Sequence, residues 1–241
     1  MLLSTGLMAS TRGDVQVIEA SEKIRLLGQQ MAKDYLYYYK NPKKLTLKEA
    51  LNRDVEMIET SIAEISTITK NRDSRDILEF LSYNKDEIKE LLSQKVSREK
   101  SILMLDYSES FLEGTNSIAK EHSYAFSDEE KMLMSITKME YLFERTTKYY
   151  VAIELNLDKN NNLNSMKESI KELEKILDKI NNYAYPKELL SDIDTLNTVW
   201  AKHKEFLNKS HEVSVSNLLL TSEIRVKKIL QKIALYHKQN K

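Results

Sequence analysis

Val17–Tyr39 reads VIEASEKIRLLGQQMAKDYLYYY, and Met132–Glu154 reads MLMSITKMEYLFERTTKYYVAIE. In the first stretch Val17, Ala20, Ile24, Leu27, Met31 and Tyr38 recur at steps of three, four, three, four and seven. That is the stripe of an amphipathic helix, apolar on one face and polar on the other. The second stretch repeats the pattern through Met132, Ile136, Met139, Leu142 and Tyr150. A shift of 115 positions carries Leu27 onto Leu142, Lys33 onto Lys148 and Tyr35 onto Tyr150.

The same shift holds outward from this helix. It carries Leu51, Val55, Ile58, Ile62 and Ile65 onto Met166, Ile170, Leu173, Leu177 and Ile180. It carries Leu78, Leu81 and Leu92 onto Ile193, Leu196 and Leu207, then Leu105, Ile118, Ala119 and His122 onto Leu220, Ile233, Ala234 and His237. Unrelated helices would lose phase at the first loop, so one ungapped shift across four helices marks a duplication. The expected fold is all-α, two tandem up-down four-helix bundles, since short links make sequential helices antiparallel neighbours.

The expected boundaries follow from the punctuation. Residues 1–13 form a tail or signal remnant, 14–123 the first unit and 127–241 the second. Helix one ends near Tyr39, before Asn41-Pro42. The capping-box pattern, a hydroxyl followed three residues later by a glutamate, occurs at Thr46–Glu49, Ser127–Glu130 and Ser165–Glu168. These are expected to open helices two, five and six, with Asp158 to Asn162 as a loop before the last of them. Asn71–Ser74 offers caps for helix three and Ser97 caps helix four. Pro186 suits the first turn of helix seven, and the last helix runs from about Val213 to Gln239. Between Ser97 and Leu155 the chain is one long helix or two that break near Ser123 to Ser127. The opening MLLSTGLMAS lacks the basic region and long apolar run of a signal peptide. It is the tail of a clipped signal or a frayed terminus.

Composition agrees. Among 241 residues there are four glycines and two prolines, too few for a turn-rich β fold. The net charge of zero argues against nucleic acid, whose phosphates call for a basic excess. No apolar run reaches the ~20 residues of a membrane span. Cysteine is absent, so disulfides, thiolate metal sites and a cysteine nucleophile are excluded.

No catalytic residue is expected and the chain is not read as an enzyme. HExxH, P-loop and GxSxG motifs are missing. None of His122, His203, His211 and His237 follows a glutamate at the spacing of a di-iron bundle, so no metal and no cofactor is expected. The carboxylates lie beside lysines and read as solvated helix surface. His122 and His237 fall at helix C-termini, where imidazolium meets the negative end of the dipole. The tyrosine clusters at the ends of helices one and five read as core and rim packing, and Trp200 as an anchor of helix seven.

One group on helix one points to binding. Arg25 lies beside the apolar stripe, with Ser21, Gly28 and Gln29 on the same face. A helical glycine costs about 1 kcal/mol against alanine, which implies a packing reason for Gly28. Small residues beside a guanidinium admit a partner helix or a small oxyanion. Arg25, Gln29 and a symmetry mate would then form a shallow anion pocket. The alternative is that Arg25 pairs with Glu22 or faces water.

Ile18–Lys33 also resembles the first helix of the PilJ-type sensor module, the N-terminal domain of type IV pili methyl-accepting chemotaxis transducers, which is related to NarX-like nitrate sensor domains. The family pattern is roughly I-N-x-A-G-R-Q-R-M-L-S-Q-R-M-A-K. Ser222-Glu223 with Ile233–Tyr236, and Ser108-Glu109 with Ile118-Ala119, look like its last helix. The resemblance implies a bacterial periplasmic bundle that binds nitrate or nitrite at a helix-one dimer interface. By that resemblance Arg25 takes the anion-binding arginine position and Lys23 the basic position before it. Gln30 stands at the third basic position. In the second unit Lys138 and Arg145 keep two of these positions while Glu140 replaces the arginine, which would repel an anion. Family members also carry a membrane span and a signalling domain that this sequence lacks. The expectation is a binder that reports to a membrane-bound signalling protein, or a piece of one. It would act through a pseudo-dimer of its two units or a true homodimer. A protein-interaction bundle without a small-molecule ligand is the alternative.

Overall fold

The computed structural model describes residues 11–208 and 216–241. The helices are α1 (Arg12–Lys40), α2 (Leu45–Ile68), α3 (Arg72–Ser93), α4 (Arg98–Glu121), α5 (Asp128–Glu154), α6 (Lys159–Asn181), α7 (Lys187–Asn208) and α8 (Ser216–Asn240). Among the described residues there is no strand. The fold is all-α, two tandem four-helix bundles. In the first, α1 packs on α2 and α4, and α3 bridges α2 and α4. In the second, α5 packs on α6 and α8, and α7 lies on α8. Shifted by 115 positions, α3 lands residue for residue on α7.

The two bundles meet through α1 and α5. These helices run parallel and in register. Glu22 meets Thr137, Arg25 meets Tyr141, Lys33 meets Glu144 and Lys40 meets Glu154, so contacts advance together along both. The direction follows from the connections. The C-cap of α4 is His122, whose Nδ1 lies 2.8 Å from Asp14 in the first turn of α1. The short link to Ser127 therefore starts α5 at the same end as α1. His237 repeats the arrangement with Glu129, 115 positions on. Both histidines thus tie the last helix of a bundle to its first through a carboxylate. Both stand at helix C-termini, as expected, and each has a side-chain partner there besides.

Local chemistry explains most boundaries. Thr11 caps α1 through a capping box with Asp14, so Arg12 and Gly13 are helical rather than part of a tail. Asn71 caps α3, Ser97 caps α4, and Ser127 with Glu130 forms the box that opens α5. The chain breaks between α4 and α5 as two helices. Lys187 follows Pro186 as the first residue of α7.

Two expected boxes do not form. The turn at Asn41–Lys44 starts α2 at Leu45, which places Thr46 inside the first turn, and the N-cap Lys44 makes no side-chain bond. Helix α6 starts six residues before Ser165, so that serine is interior and its carbonyl accepts from Ser169 Oγ. The expected loop at Asp158 to Asn162 is mostly helix. The reversal happens earlier, at Asn156 with φ 54°. Leu157 N–H donates to Ala152 O and Asn156 N–H to Ile153 O, the paired bonds of a Schellman C-cap with asparagine where glycine is usual. The buried Leu157 completes it. The start of the last helix near Val213, the opening MLLSTGLMAS and His211 lie outside the described residues.

The cores are unequal. Val17, Ile24, Met31 and Tyr35 pack with Ile58, Leu81 and Phe111 as the first core. The second, around Leu142, Tyr150 and Trp200, also takes in Leu36 and Tyr37 of α1 and Leu105 and Leu112 of α4. Apolar packing is therefore continuous across the seam.

Removing a formed cap costs about 1 kcal/mol, while removing an unformed one costs little. Urea denaturation of Ser127→Ala should show a loss of about 1 kcal/mol, and Thr46→Ala a change within about 0.5 kcal/mol. Equal losses in both would contradict the cap assignment.

Candidate functional site at the α1–α5 seam

On most of their surface α1 and α5 bury apolar residues, but the faces they turn to each other carry charge. Lys33 is 5% exposed and Lys148 fully buried. A buried ammonium needs partners for its three donors. Lys33 Nζ lies 2.5 Å from Glu144 Oε2 and 2.8 Å from Glu223 Oε2. Lys148 Nζ donates to Gln29 Oε1 at 2.7 Å, to Ser108 Oγ at 2.9 Å and to Glu109. The partner positions are themselves related by the duplication. Gln29 and Glu144 are 115 apart, as are Ser108 and Glu223. Each lysine thus reaches across the seam to the two equivalent positions of the opposite unit. One arm ends on two carboxylates, the other on neutral groups plus Glu109.

Burial works against the Lys33 ammonium, and Glu144 and Glu223 outweigh it, so its pKa stands well above that of ordinary lysine. Burial dominates at Lys148 and brings it down to about 8, despite Glu109. Burial raises the Glu223 carboxyl, against the pull of Lys33. Nearby, Asp54 accepts from Gln30 Nε2 at 3.1 Å, and burial, then the charge of Asp34, lifts it to about 7. Glu109 stays low. Burial would raise it, but Lys148 and the Arg145 guanidinium, 2.8 Å away, prevail. Glu144, Glu223, Glu109 and Asp54 are thus structural groups of the seam, not the solvated surface that their spacing suggested. His203 is also buried; desolvation depresses it to about 3, and its Nδ1 meets Ser222 Oγ.

The five residues expected to bind an anion are separated by this arrangement. Gln29 is fully buried with its carbonyl on Lys148 and its amide on Ser108 O. Gly28 packs under Phe111, where an added Cβ would stand 3.1 Å from the Phe111 Cβ. Its packing reason is therefore α4 of its own bundle. Ser21 is fully buried, and its Oγ has no hydrogen-bond partner. Arg25 is largely buried beside Glu22 and Tyr141, burial lowers its pKa, and its Nε has no hydrogen-bond partner. Lys23 is exposed and turned away from these groups, at the rim of a cleft.

That cleft, about 380 Å³, lies where α1, α5 and α8 meet. Its floor is Glu22, Leu26, Leu133, Thr137 and Glu140, and its rim includes Lys23 and Lys238. Burial raises Glu22 to about 7, partly offset by Arg25. Burial also raises Glu140, with Lys227 opposing. Glu140 and Leu26 border a second small cavity that reaches Glu144 and Glu223. The loose part of the seam thus abuts the ion network. Sequence reading matched Lys33 to Lys148 but assigned them no role. A lysine conserved in register between the halves, beside an apolar stripe, was the available signal.

Compared with family models, with curated proteins and with solved structures, the chain matches none.

Removing one cation from a buried network leaves its carboxylates uncompensated, at a cost of about 3–5 kcal/mol. Lys33→Met should lower unfolding free energy by that amount in urea titration; a loss below about 1 kcal/mol would mean that the network is solvated. The raised carboxyls also set a pH trend. A raised acid holds its proton in the folded chain where the unfolded chain has lost it. Its contribution is full at low pH and disappears as pH climbs through the folded value. For Asp54 that is from 3.8 to about 7. Unfolding free energy should therefore fall between about pH 4 and 7 and level off above that, and Asp54→Asn should flatten the slope. A slope unchanged in the variant would remove Asp54 from the account.

Proposed function

We propose that this chain is a non-catalytic sensing or binding module, in which a small molecule acts on the α1–α5 seam and the change is passed to a membrane-bound signalling protein. The observation that carries it is the crossed lysine pair on two parallel, register-matched helices. Such a seam is a candidate two-state element, since moving one helix along the other exchanges buried charge partners together rather than gradually. The resemblance of Ile18–Lys33 to the PilJ-type module favours the same reading, with a bacterial periplasmic setting and a small anion such as nitrate or nitrite at Arg25. Arg25 Nε and Ser21 Oγ, each buried without a hydrogen-bond partner, are compatible with an anion there. Glu22 beside Arg25, and Glu140 at the position matching Arg25, weigh against it, since carboxylates repel anions. A second reading is a protein-interaction bundle. It is favoured by Phe80 and Tyr83, 53% and 59% exposed on α3, with Tyr107 of α4 near Tyr83.

Calorimetric titration of nitrate and nitrite into the wild-type protein and Arg25→Ala tests the anion. Binding heat in the wild type that disappears in the variant is expected. Heats that are absent, or identical in both proteins, end the anion assignment.

A further inference from the structure

The cleft between α1, α5 and α8 offers a different chemistry from that of Arg25. Its floor combines two carboxyls, Glu22 and Glu140, with the apolar walls of Leu26 and Leu133. Its rim carries two exposed ammonium groups, Lys23 and Lys238, the exposed Glu19, which is paired with Lys241 at 3.6 Å, and the apolar Leu235, which is 55% exposed although it faces the cleft. The volume, about 380 Å³, is in the range of small-molecule sites. A simple anion would meet the floor carboxyls, and a simple cation would meet the rim lysines. A molecule with an ammonium at one end, a carboxylate at the other and an apolar side chain satisfies all three surfaces.

We propose that this cleft binds a zwitterionic small molecule of the α-amino-acid class, with its ammonium between Glu22 and Glu140, its carboxylate toward Lys238 and Lys23, and its side chain against Leu26, Leu133 and Leu235. The proposal rests on the sensing reading above and names the ligand class for the same seam. The surroundings suit it. Glu22 is faced by Arg25, Glu19 and Lys238, and Glu140 by Lys227, Glu144 and Lys238. Burial raises both carboxyls, Glu22 to about 7, so an arriving ammonium favours their charged forms and displaces a proton from Glu22. Glu140 lies one helical turn before Glu144, the partner of Lys33. An ammonium placed against Glu140 changes the field on the carboxylate that holds the crossed lysine, which gives the ligand a route to the seam.

Thermal unfolding with leucine as probe tests this, against 3-methylbutylamine and 4-methylpentanoate, which carry only one of the two charges. At concentrations well above dissociation, leucine should raise the midpoint by about 3 °C or more, and each half-ligand by much less. Glu140→Gln, an isosteric change, and Lys238→Gln, at an exposed position, should each remove most of the shift while keeping the unliganded midpoint. Calorimetry at pH 6.5 in buffers of differing ionisation enthalpy should register proton release on binding. No shift with leucine or phenylalanine, an equal shift with the carboxylate alone, or a shift unaltered in both variants would overturn the proposal. Emission of Trp200, the one tryptophan, reports α5 through Phe143, which packs edge-on against it at 5.3 Å. Leucine binding without an emission change would uphold the site and sink the sensing role. Nitrate stabilisation through Arg25 without leucine binding would do the reverse.

Discussion

A lysine ammonium cannot be left in a protein interior without acceptors, and the α1–α5 seam holds two such groups. The rest of the architecture follows from where their acceptors lie. Lys33 finds Glu144 and Glu223 in the second unit, and Lys148 finds Gln29, Ser108 and Glu109 in the first. Both conditions are met together only if α1 and α5 run parallel and in register. A slip of one turn would strip both lysines at once. The seam is thus specified by polar geometry, while the apolar contacts of Leu36, Tyr37, Leu105 and Leu112 supply contact area without a preferred register.

Duplication and divergence are both visible here. The halves kept the lysines but changed their acceptors, glutamates on one side and a glutamine and a serine on the other. One arm is consequently rich in negative charge and the other close to balanced. This asymmetry explains why burial and neighbours leave Lys33 firmly charged and bring Lys148 down to about 8. Elsewhere the halves stay closer, as in the two histidine–carboxylate ties, His122 with Asp14 and His237 with Glu129, that close each bundle at the same end. At the opposite end Arg98 of α4 donates to Leu155 O and Asn156 O, which fastens the first unit to the C-cap of α5. The seam is pinned at both ends and packed through its middle ion network. It opens into a cleft along the N-terminal halves of α1 and α5, between Glu19 and Leu26 on one and Leu133 and Glu140 on the other. Looseness at one place beside a tightly coupled charge cluster is the arrangement through which a small molecule could act on a helix pair.

The amino-acid sequence by itself determined the helices, their amphipathic faces and the duplication, because these depend on spacing that any reader of the chain can count. It also determined the formed caps at Asn71, Ser97 and Ser127, where a short polar side chain meets backbone N–H groups two or three residues away. It could not tell the Thr46 and Ser165 patterns from these, since a cap works only where the helix begins. That point was decided by the turn after Asn41 and by the Asn156 reversal. Nor could it separate buried carboxylates from solvated ones. Glu144 sits beside an arginine and two threonines and Glu109 between two serines, like many surface glutamates, and only the approach of a second bundle removes their water. Arg25, Gln29 and Gly28 share one helix face in sequence, yet tertiary packing gave each a different neighbour: Glu22 and Tyr141, the far lysine, and Phe111. Local periodicity states which side of a helix a residue occupies. What stands opposite depends on groups distant in the chain, Phe111 of the same bundle for Gly28 and Tyr141 and Lys148 of the other for Arg25 and Gln29, and that was settled only by tertiary packing.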